Sequence, residues 1–192
     1  MMKKILIILL AISFIILKPA RAEEQTKSFQ GVEFLTGFSQ GHLKEKKDYR
    51  LVPLIIDFNF NLKSLTKKIG FNPSNLVQFQ IEPYISVVTS PEANIETGTS
   101  FLFKFGLLPE NWTFQPYLRA GVGVSYMSLH TLDQSTQYNF LSHFGLGLHY
   151  FFQKNLGLTT EYRFRHLSNA SIKHPNSGID THSILLGVYR RF

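Results

Sequence analysis

The sequence contains no cysteine, a single tryptophan and few charged residues, which make up only 17% of its 192 residues. The absence of cysteine excludes a disulfide-stapled scaffold and a metal site built on thiolates. The hydrophobic fraction of 44% is too high for a disordered chain. Because a chain of this length has room for one domain, we expect a single folded domain.

The amino-terminal 22 residues have the organisation of a secretory signal peptide. Two lysines precede an apolar run from Ile5 to Leu17, and the tripeptide Ala20-Arg21-Ala22 supplies the small residues of a cleavage site. This run is much shorter than the roughly 20 apolar residues that a membrane-spanning helix needs. We therefore predict a cleaved signal peptide over 1–22 and a mature domain over 23–192.

Cleavage would change the charge balance of the protein. The predicted signal peptide carries four basic residues and no acidic one, so the formal net charge falls from +7 to +3. The remaining basic residues are scattered along the chain, whereas a nucleic-acid-binding protein usually concentrates them in a patch or stripe. The composition therefore argues against a nucleic acid as partner.

The mature domain consists largely of segments in which apolar and polar residues alternate. It contains no uninterrupted apolar stretch near the ~18 residues of a membrane helix. Instead, polar or Pro/Gly/Asn-rich breaks separate eight segments with the period of a β-strand. The segments lie near 28–39, 48–62, 76–90, 95–108, 114–129, 137–152, 156–169 and 179–192.

One face of each segment is apolar and the other is polar. In the second segment, for example, Leu54, Ile56 and Phe58 alternate with Asp57 and Asn59. Strands of a soluble sandwich usually have only about 5–6 residues. Longer strands with an apolar outer face and a polar, glycine-containing inner face are typical of outer-membrane proteins. We therefore predict an all-β fold, an eight-stranded antiparallel transmembrane β-barrel in the outer membrane of a Gram-negative bacterium.

The predicted barrel is narrow, and its interior is just wide enough for side chains. Charged residues on the inner face should therefore pair with one another, because an unpaired buried charge is costly. We expect a packed polar core and no open pore. Its predicted members are Asp57, Glu82, Lys104, Arg119, Glu161, Arg163 and Arg165.

The connections between strands should alternate between the two sides of the membrane. With both termini in the periplasm, the connection near 63–75 is periplasmic, and it is longer than the turns usually found there. The predicted external loops are 40–47, 90–94, 130–136 and 170–178. The last segment ends at Phe192, and a terminal aromatic residue on such a strand resembles the signal read by the barrel-assembly machinery. That machinery is therefore a predicted partner, although Arg190 lies where an apolar residue or tyrosine is usual.

The seventh and eighth segments carry a candidate catalytic group. His166 and Ser168 are two residues apart, so their side chains leave the same, apolar face of the strand. Counting along the eighth segment places Asp180 on the outward face as well, at the level where the seventh segment ends. Serine, histidine and an acid support acyl transfer, with histidine as base and serine as nucleophile. Asn169 could donate to the oxyanion through its side-chain amide or its backbone N–H.

These residues belong to a longer motif that resembles a known family. His166-Leu167-Ser168-Asn169-Ala170 is followed by Lys173, Pro175-Asn176 and Gly178-Ile179 before the acid, as in the outer-membrane lipid A 3-O-deacylase (PagL) family. The likeness is specific over about 162–192. The sequence departs from the family at two positions: Asp180 stands where the acid is often glutamate, and Ser171 stands where glycine is usual.

The resemblance implies hydrolysis of the ester-linked 3-hydroxyacyl chain at position 3 of lipid A, in the outer leaflet and without a metal or organic cofactor. It implies His166 as base, Ser168 as nucleophile and Asp180 as the acid. Lipid A, or lipopolysaccharide, and the surrounding outer-membrane lipids are the expected partners. The oligomeric state stays open, with a homodimer as one alternative.

Three other interpretations compete with this one. A lipid A palmitoyltransferase would need a lipophilic barrel interior, which the charged inner faces argue against. A non-catalytic barrel with a structural or adhesive role would depend on its external loops, and these are short. The seven histidines invite a metal site, but no pair has a convincing ligand spacing with a carboxylate.

Overall fold

The structure, a computed structural model, describes residues 28–44 and 48–192. The predicted signal peptide lies outside the described residues and stays a prediction. Within them the chain forms eight strands and one short helix: β1 Phe29–His42, β2 Asp48–Asn61, α1 Lys63–Lys68, β3 Asn75–Ser90, β4 Asn94–Pro109, β5 Phe114–Met127, β6 Tyr138–Gln153, β7 Leu156–Ser168 and β8 Ile179–Arg191. None of the described residues form a helix long and apolar enough to cross a bilayer.

The eight strands form one closed antiparallel barrel in the order of the sequence, and β8 pairs with β1 to close it. The predicted fold is therefore confirmed. Closure satisfies the backbone hydrogen bonds of both edge strands, as a membrane-spanning sheet requires. The connections β1–β2, β3–β4, β5–β6 and β7–β8 meet at one end of the barrel, which we call the loop end.

The outer surface of the barrel is apolar, as the alternation predicts. Outward-facing residues such as Leu54, Phe103 and Leu186 are each about 60% exposed. Exposure of so much apolar surface would be costly in water, whereas it fits the hydrocarbon of a bilayer.

The interior is filled by paired charged side chains centred on Arg119. This guanidinium lies 2.7 Å from both Asp57 Oδ2 and Glu161 Oε1, and 3.2 Å from Glu82 Oε2. Arg163 makes a two-pronged contact with Glu82, at 2.6 and 2.8 Å. All seven predicted interior charges are buried, so the prediction of a packed polar core is confirmed.

Two further acidic residues complete the interior network. Glu33 accepts a hydrogen bond from Lys104 Nζ at 2.8 Å, and Glu96 pairs with Arg165. Sequence analysis did not single out these carboxylates, although both lie on inward-facing positions of their strands. Each of the four buried cations named thus contacts at least one of five buried carboxylates. These ion pairs occupy the space that an acyl chain inside the barrel would need.

The long connection at 63–75 contains the exposed helix α1. Gly70, with φ of +80°, follows the helix and turns the chain toward β3. Lys63 Nζ binds Glu110 Oε2, which ties this connection to the end of β4. The connection is therefore a structured element at the end of the barrel opposite the loop end.

Arg119 is expected to be the residue on which the stability of the interior depends most. Its replacement in Arg119→Ala leaves Asp57 and Glu161 buried without their main partner, which should lower the free energy of unfolding by about 3–5 kcal/mol. Urea unfolding in detergent micelles, followed by tryptophan fluorescence, measures the change. The control is Arg50→Ala, because Arg50 pairs with Asp48 on the exposed surface and should contribute less than about 1 kcal/mol. Equal losses in the two variants would contradict this account.

Candidate active site

His166 and Asp180 form a direct pair across strands β7 and β8. They lie opposite each other in the β7–β8 register, and His166 Nδ1 is 2.6 Å from Asp180 Oδ1. Both side chains face outward, with 41% and 58% of their surface exposed. A carboxylate bound to Nδ1 fixes the tautomer with the proton on Nδ1, so the lone pair is on Nε2 and available as a base.

Ser168 is the last residue of β7 and shares the outward face with His166. It is half-buried and lies opposite Phe140 of β6. The imidazole of His166 forms its hydrogen bond through Nδ1, with Asp180. Within the described residues, no hydrogen bond joins its Nε2 to the Ser168 hydroxyl. Catalytic hydrogen bonds of this kind often close only when the substrate binds. The structure thus places His166 and Asp180 in contact, and Ser168 lies next to His166 on the same face.

Gly178, in the loop between β7 and β8, lies close to the imidazole of His166. Its φ is +76°, and a Cβ atom added to it would lie 2.5 Å from Cε1 and 3.2 Å from Nε2 of His166. A glycine is therefore required here both by the backbone conformation and by the close approach to the ring. The loop between β7 and β8 therefore packs its backbone closely against the ring that Asp180 binds.

Asn169 is 1% exposed and organises the loop rather than facing outward. Its Nδ2 donates to Lys173 O at 2.7 Å and to Ser135 Oγ at 3.2 Å. Its backbone N–H donates to Asn176 Oδ1 at 3.0 Å. Both groups expected to serve as oxyanion donors thus form hydrogen bonds within the protein, in the loop that directly follows Ser168.

A second loop supports the loop between β7 and β8. Gln134, in the β5–β6 connection, donates from Nε2 to Asn176 Oδ1 at 3.0 Å, and Ser135 N donates to Pro175 O at 3.0 Å. The neighbouring Asp133 carboxylate accepts the backbone N–H of Lys44 at 3.0 Å. Three of the four connections at the loop end are therefore linked beside the candidate site.

Sequence analysis missed the roles of Gln134 and Asn176. Asn176 belongs to the family-like motif, but its contact with Gln134 joins residues 42 positions apart in irregular loops. No period or spacing in the sequence predicts such a pairing. The sequence shows only that both side chains are carboxamides, which can form a hydrogen bond with each other.

A groove of about 620 Å³, with several polar side chains in its lining, is on the β1 side of Asp180. Gln40, His42, Lys44 and His182 contribute to its walls. His182 Nδ1 shares a hydrogen bond of 2.7 Å with the hydroxyl of Tyr162, one step closer to the membrane centre than the His166–Asp180 pair. The outward polar surface at the loop end thus extends from β7 across β8 to β1.

Ser142 of β6 is a further outward-facing polar residue that sequence analysis did not single out. It is exposed and lies directly opposite His166 in the β6–β7 register. His166 is therefore flanked by Asp180 on one neighbouring strand and by Ser142 on the other. Among the described residues, no cluster of three or more histidine, aspartate or glutamate side chains is arranged to hold a metal ion.

The fold and this surface together define a class of protein. A closed eight-stranded barrel with an apolar outer wall is a small outer-membrane β-barrel, and this one carries an acid–base pair on its lipid-facing side. The sequence matches the family model of lipid A 3-O-deacylase (PagL) over residues 55–189, from the middle of β2 to near the end of β8. The chain belongs to the lipid A 3-O-deacylase family, and it is an outer-membrane lipid A deacylase.

Solved structures agree with this fold. The barrel is similar to the crystal structure of the outer membrane enzyme PagL, with a TM-score of 0.62 and 17% identity, covering 81% of this chain and 97% of that one. It is also similar to Neisserial surface protein A (NspA), with a TM-score of 0.60 and 12% identity, covering 85% and 97%. At such identities the similarity shows the fold alone. No curated protein shows significant sequence similarity to the chain.

The contact between Gly178 and His166 yields a direct test. Gly178→Ala should push the imidazole away from Asp180 and lower kcat by about 100-fold, because small displacements of catalytic groups are costly. The matched control is Gly70→Ala. Gly70 also has positive φ, but an added Cβ meets nothing within 4 Å, so the control carries the backbone strain without the displaced ring.

Rates of release of fatty acid from lipid A in detergent measure the effect. We expect the Gly70→Ala variant to stay within about twofold of the parent, since its strain lies far from the site. A Gly178→Ala enzyme as active as the parent would contradict the positioning role.

Proposed function

We propose that the protein is a serine esterase in which His166, Ser168 and Asp180 remove the ester-linked 3-hydroxyacyl chain from position 3 of lipid A. The observation that carries the proposal is the 2.6 Å contact between His166 Nδ1 and Asp180 Oδ1, on the outward face that also bears Ser168. A pair of ionisable groups on a lipid-facing surface has a desolvation cost, which a catalytic role accounts for.

The reaction would proceed in two half-reactions. His166 Nε2 accepts the proton of the Ser168 hydroxyl as Oγ attacks the ester carbonyl, and Asp180 stabilises the imidazolium through Nδ1–H. The tetrahedral intermediate collapses as Nε2 donates the proton to the sugar oxygen at position 3. The products of this half-reaction are the acyl-enzyme and the free hydroxyl of lipid A.

Water completes the second half-reaction. His166 removes a proton from a water molecule, whose oxygen attacks the acyl carbonyl on Ser168, and then returns the proton to Oγ as the fatty acid leaves. The site lies at the loop end, so this water can come from the medium outside the hydrocarbon layer. The mechanism therefore needs access to lipid on one side and to water on the other.

The outward direction of the site supports a membrane lipid as substrate. Phe140, Phe144 and Phe164 surround Ser142 and His166 on the barrel wall and offer an apolar surface for acyl chains. A lipid that already packs against this wall can present its ester to Ser168 without leaving the bilayer. A palmitoyltransferase with an acyl chain inside the barrel is disfavoured, because buried ion pairs occupy that space.

The barrel-assembly machinery stays a proposed partner. Strand β8 carries outward-facing Ile184 and Leu186 and is followed by the aromatic Phe192, a pattern that resembles the signal read by this machinery. This proposal concerns delivery to the membrane and is independent of the catalytic one.

The test is the chemical structure of lipid A in cells. The parent protein and Ser168→Ala should be produced in a Gram-negative host that lacks such a deacylase, and the mass of its lipid A measured. We expect loss of one 3-hydroxyacyl chain with the parent and none with the variant. Asp180→Asn should lower kcat by about 10³–10⁴-fold, because the histidine loses its orienting carboxylate.

Thr160→Ala is the matched control, since Thr160 is an outward-facing hydroxyl on the same strand, six residues from His166. It should deacylate lipid A as the parent does. Folding of each variant is checked by its resistance to unfolding in cold detergent. Deacylation by a folded Ser168→Ala protein would overturn the assignment of the nucleophile.

A further inference from the structure

Ser142 interrupts an otherwise apolar surface. The outward-facing residues of β6 between Tyr138 and Phe152 are all aromatic or leucine except Ser142. Hydrocarbon itself offers a hydroxyl no partner, and other outward hydroxyls of the barrel, those of Thr36 and Thr97, donate to the backbone carbonyls of Pro53 and Tyr84. Ser142 differs from these in its place beside His166, where its hydroxyl can bind a polar group of a lipid that lies against the wall.

The register fixes where this hydroxyl lies relative to the nucleophile. Ser142 is opposite His166, and Phe140 is opposite Ser168. Ser142 is thus the diagonal neighbour of Ser168, at about 7–8 Å between backbone positions. Since β7 runs toward the loop end, Ser142 lies on the side of Ser168 that faces the middle of the membrane.

The proposed substrate has a polar group that would fall at this place. When its ester carbonyl meets Ser168, the acyl chain must run from there toward the hydrocarbon, along the wall formed by Phe140 and Phe144. A 3-hydroxyacyl chain carries its hydroxyl on the second carbon beyond the carbonyl. In this arrangement the hydroxyl would fall on the membrane side of Ser168, in the direction of Ser142.

We propose that Ser142 is a specificity-determining residue, whose hydroxyl binds the 3-hydroxyl group of the acyl chain being removed. This inference rests on the proposed function, because it assumes that the ester is bound at Ser168. It assigns a role in substrate choice to strand β6, outside the family-like motif on β7 and β8. Ser142 takes no part in proton transfer in this scheme.

Two synthetic lipids test the proposal. Both are glucosamine 1-phosphate lipids, and they differ only in the chain at position 3, which is 3-hydroxytetradecanoyl in one and tetradecanoyl in the other. The measured quantity is the ratio of kcat/KM for the hydroxylated lipid to kcat/KM for the other. A hydrogen bond between two neutral groups should make this ratio about fivefold to tenfold larger in the parent than in Ser142→Ala.

Two further variants make the result specific. Ser142→Thr keeps a hydroxyl and should keep most of the preference of the parent. Thr160→Ala removes an outward hydroxyl elsewhere on the wall and should leave the ratio unchanged. Loss of the preference in Ser142→Ala, with its retention in Ser142→Thr, is the expected result.

An unchanged ratio in Ser142→Ala would overturn the proposal, whether or not the rates themselves fall, because a general effect on the site lowers both equally. Complete loss of hydrolysis of both lipids by the folded variant would overturn it as well, since the hydroxyl would then act in the reaction itself. Failure of the proposed function is a separate outcome. In that case the parent hydrolyses neither lipid, or Ser168→Ala remains active.

Discussion

The candidate site depends above all on the register between β7 and β8. This register sets His166 opposite Asp180, with 2.6 Å between Nδ1 and Oδ1. Because side chains alternate between the two faces of a strand, a slip by one residue would move Asp180 into the barrel and leave His166 without its carboxylate. The same register sets Phe164 opposite His182, so the whole outward surface next to the site follows from it.

Closure of the barrel and its ionic interior maintain this register. Arg163 and Arg165 alternate with Phe164 and His166 on β7, and their guanidinium groups bind Glu82 and Glu96 inside. Each inward arginine thereby anchors the strand from within, while the outward residues stay free to meet lipid. Ion pairs inside the barrel thus stabilise the position of residues on its outer surface. Contacts between the loops at 128–137 and 169–178 stabilise the same residues at the loop end.

Much of this arrangement could be predicted from the sequence, because strand periodicity carries it. The predicted segments 156–169 and 179–192 differ from β7 and β8 by one residue at most, and parity alone placed His166, Ser168 and Asp180 on the outward face. Contacts made by irregular backbone could not be predicted in this way. The approach of Gly178 to the ring and the binding of Gln134 to Asn176 depend on how two loops pack, which has no period in the sequence. Ser171 is a further example: its φ of 63° lies in the left-handed region that favours glycine, and no pattern in the sequence predicts this conformation.

Under the proposed mechanism, the outward position of His166 and Asp180 also determines which substrate concentration sets the rate of the enzyme. A site in a water-filled cleft meets its substrate at the concentration of the solution, whereas a site on the barrel wall meets lipids that diffuse laterally in the same leaflet. Its rate then follows the mole fraction of substrate among neighbouring lipids and the time each spends against the wall. Dilution of the cells would leave that rate unchanged, while a change in the composition or packing of the leaflet would alter it at once.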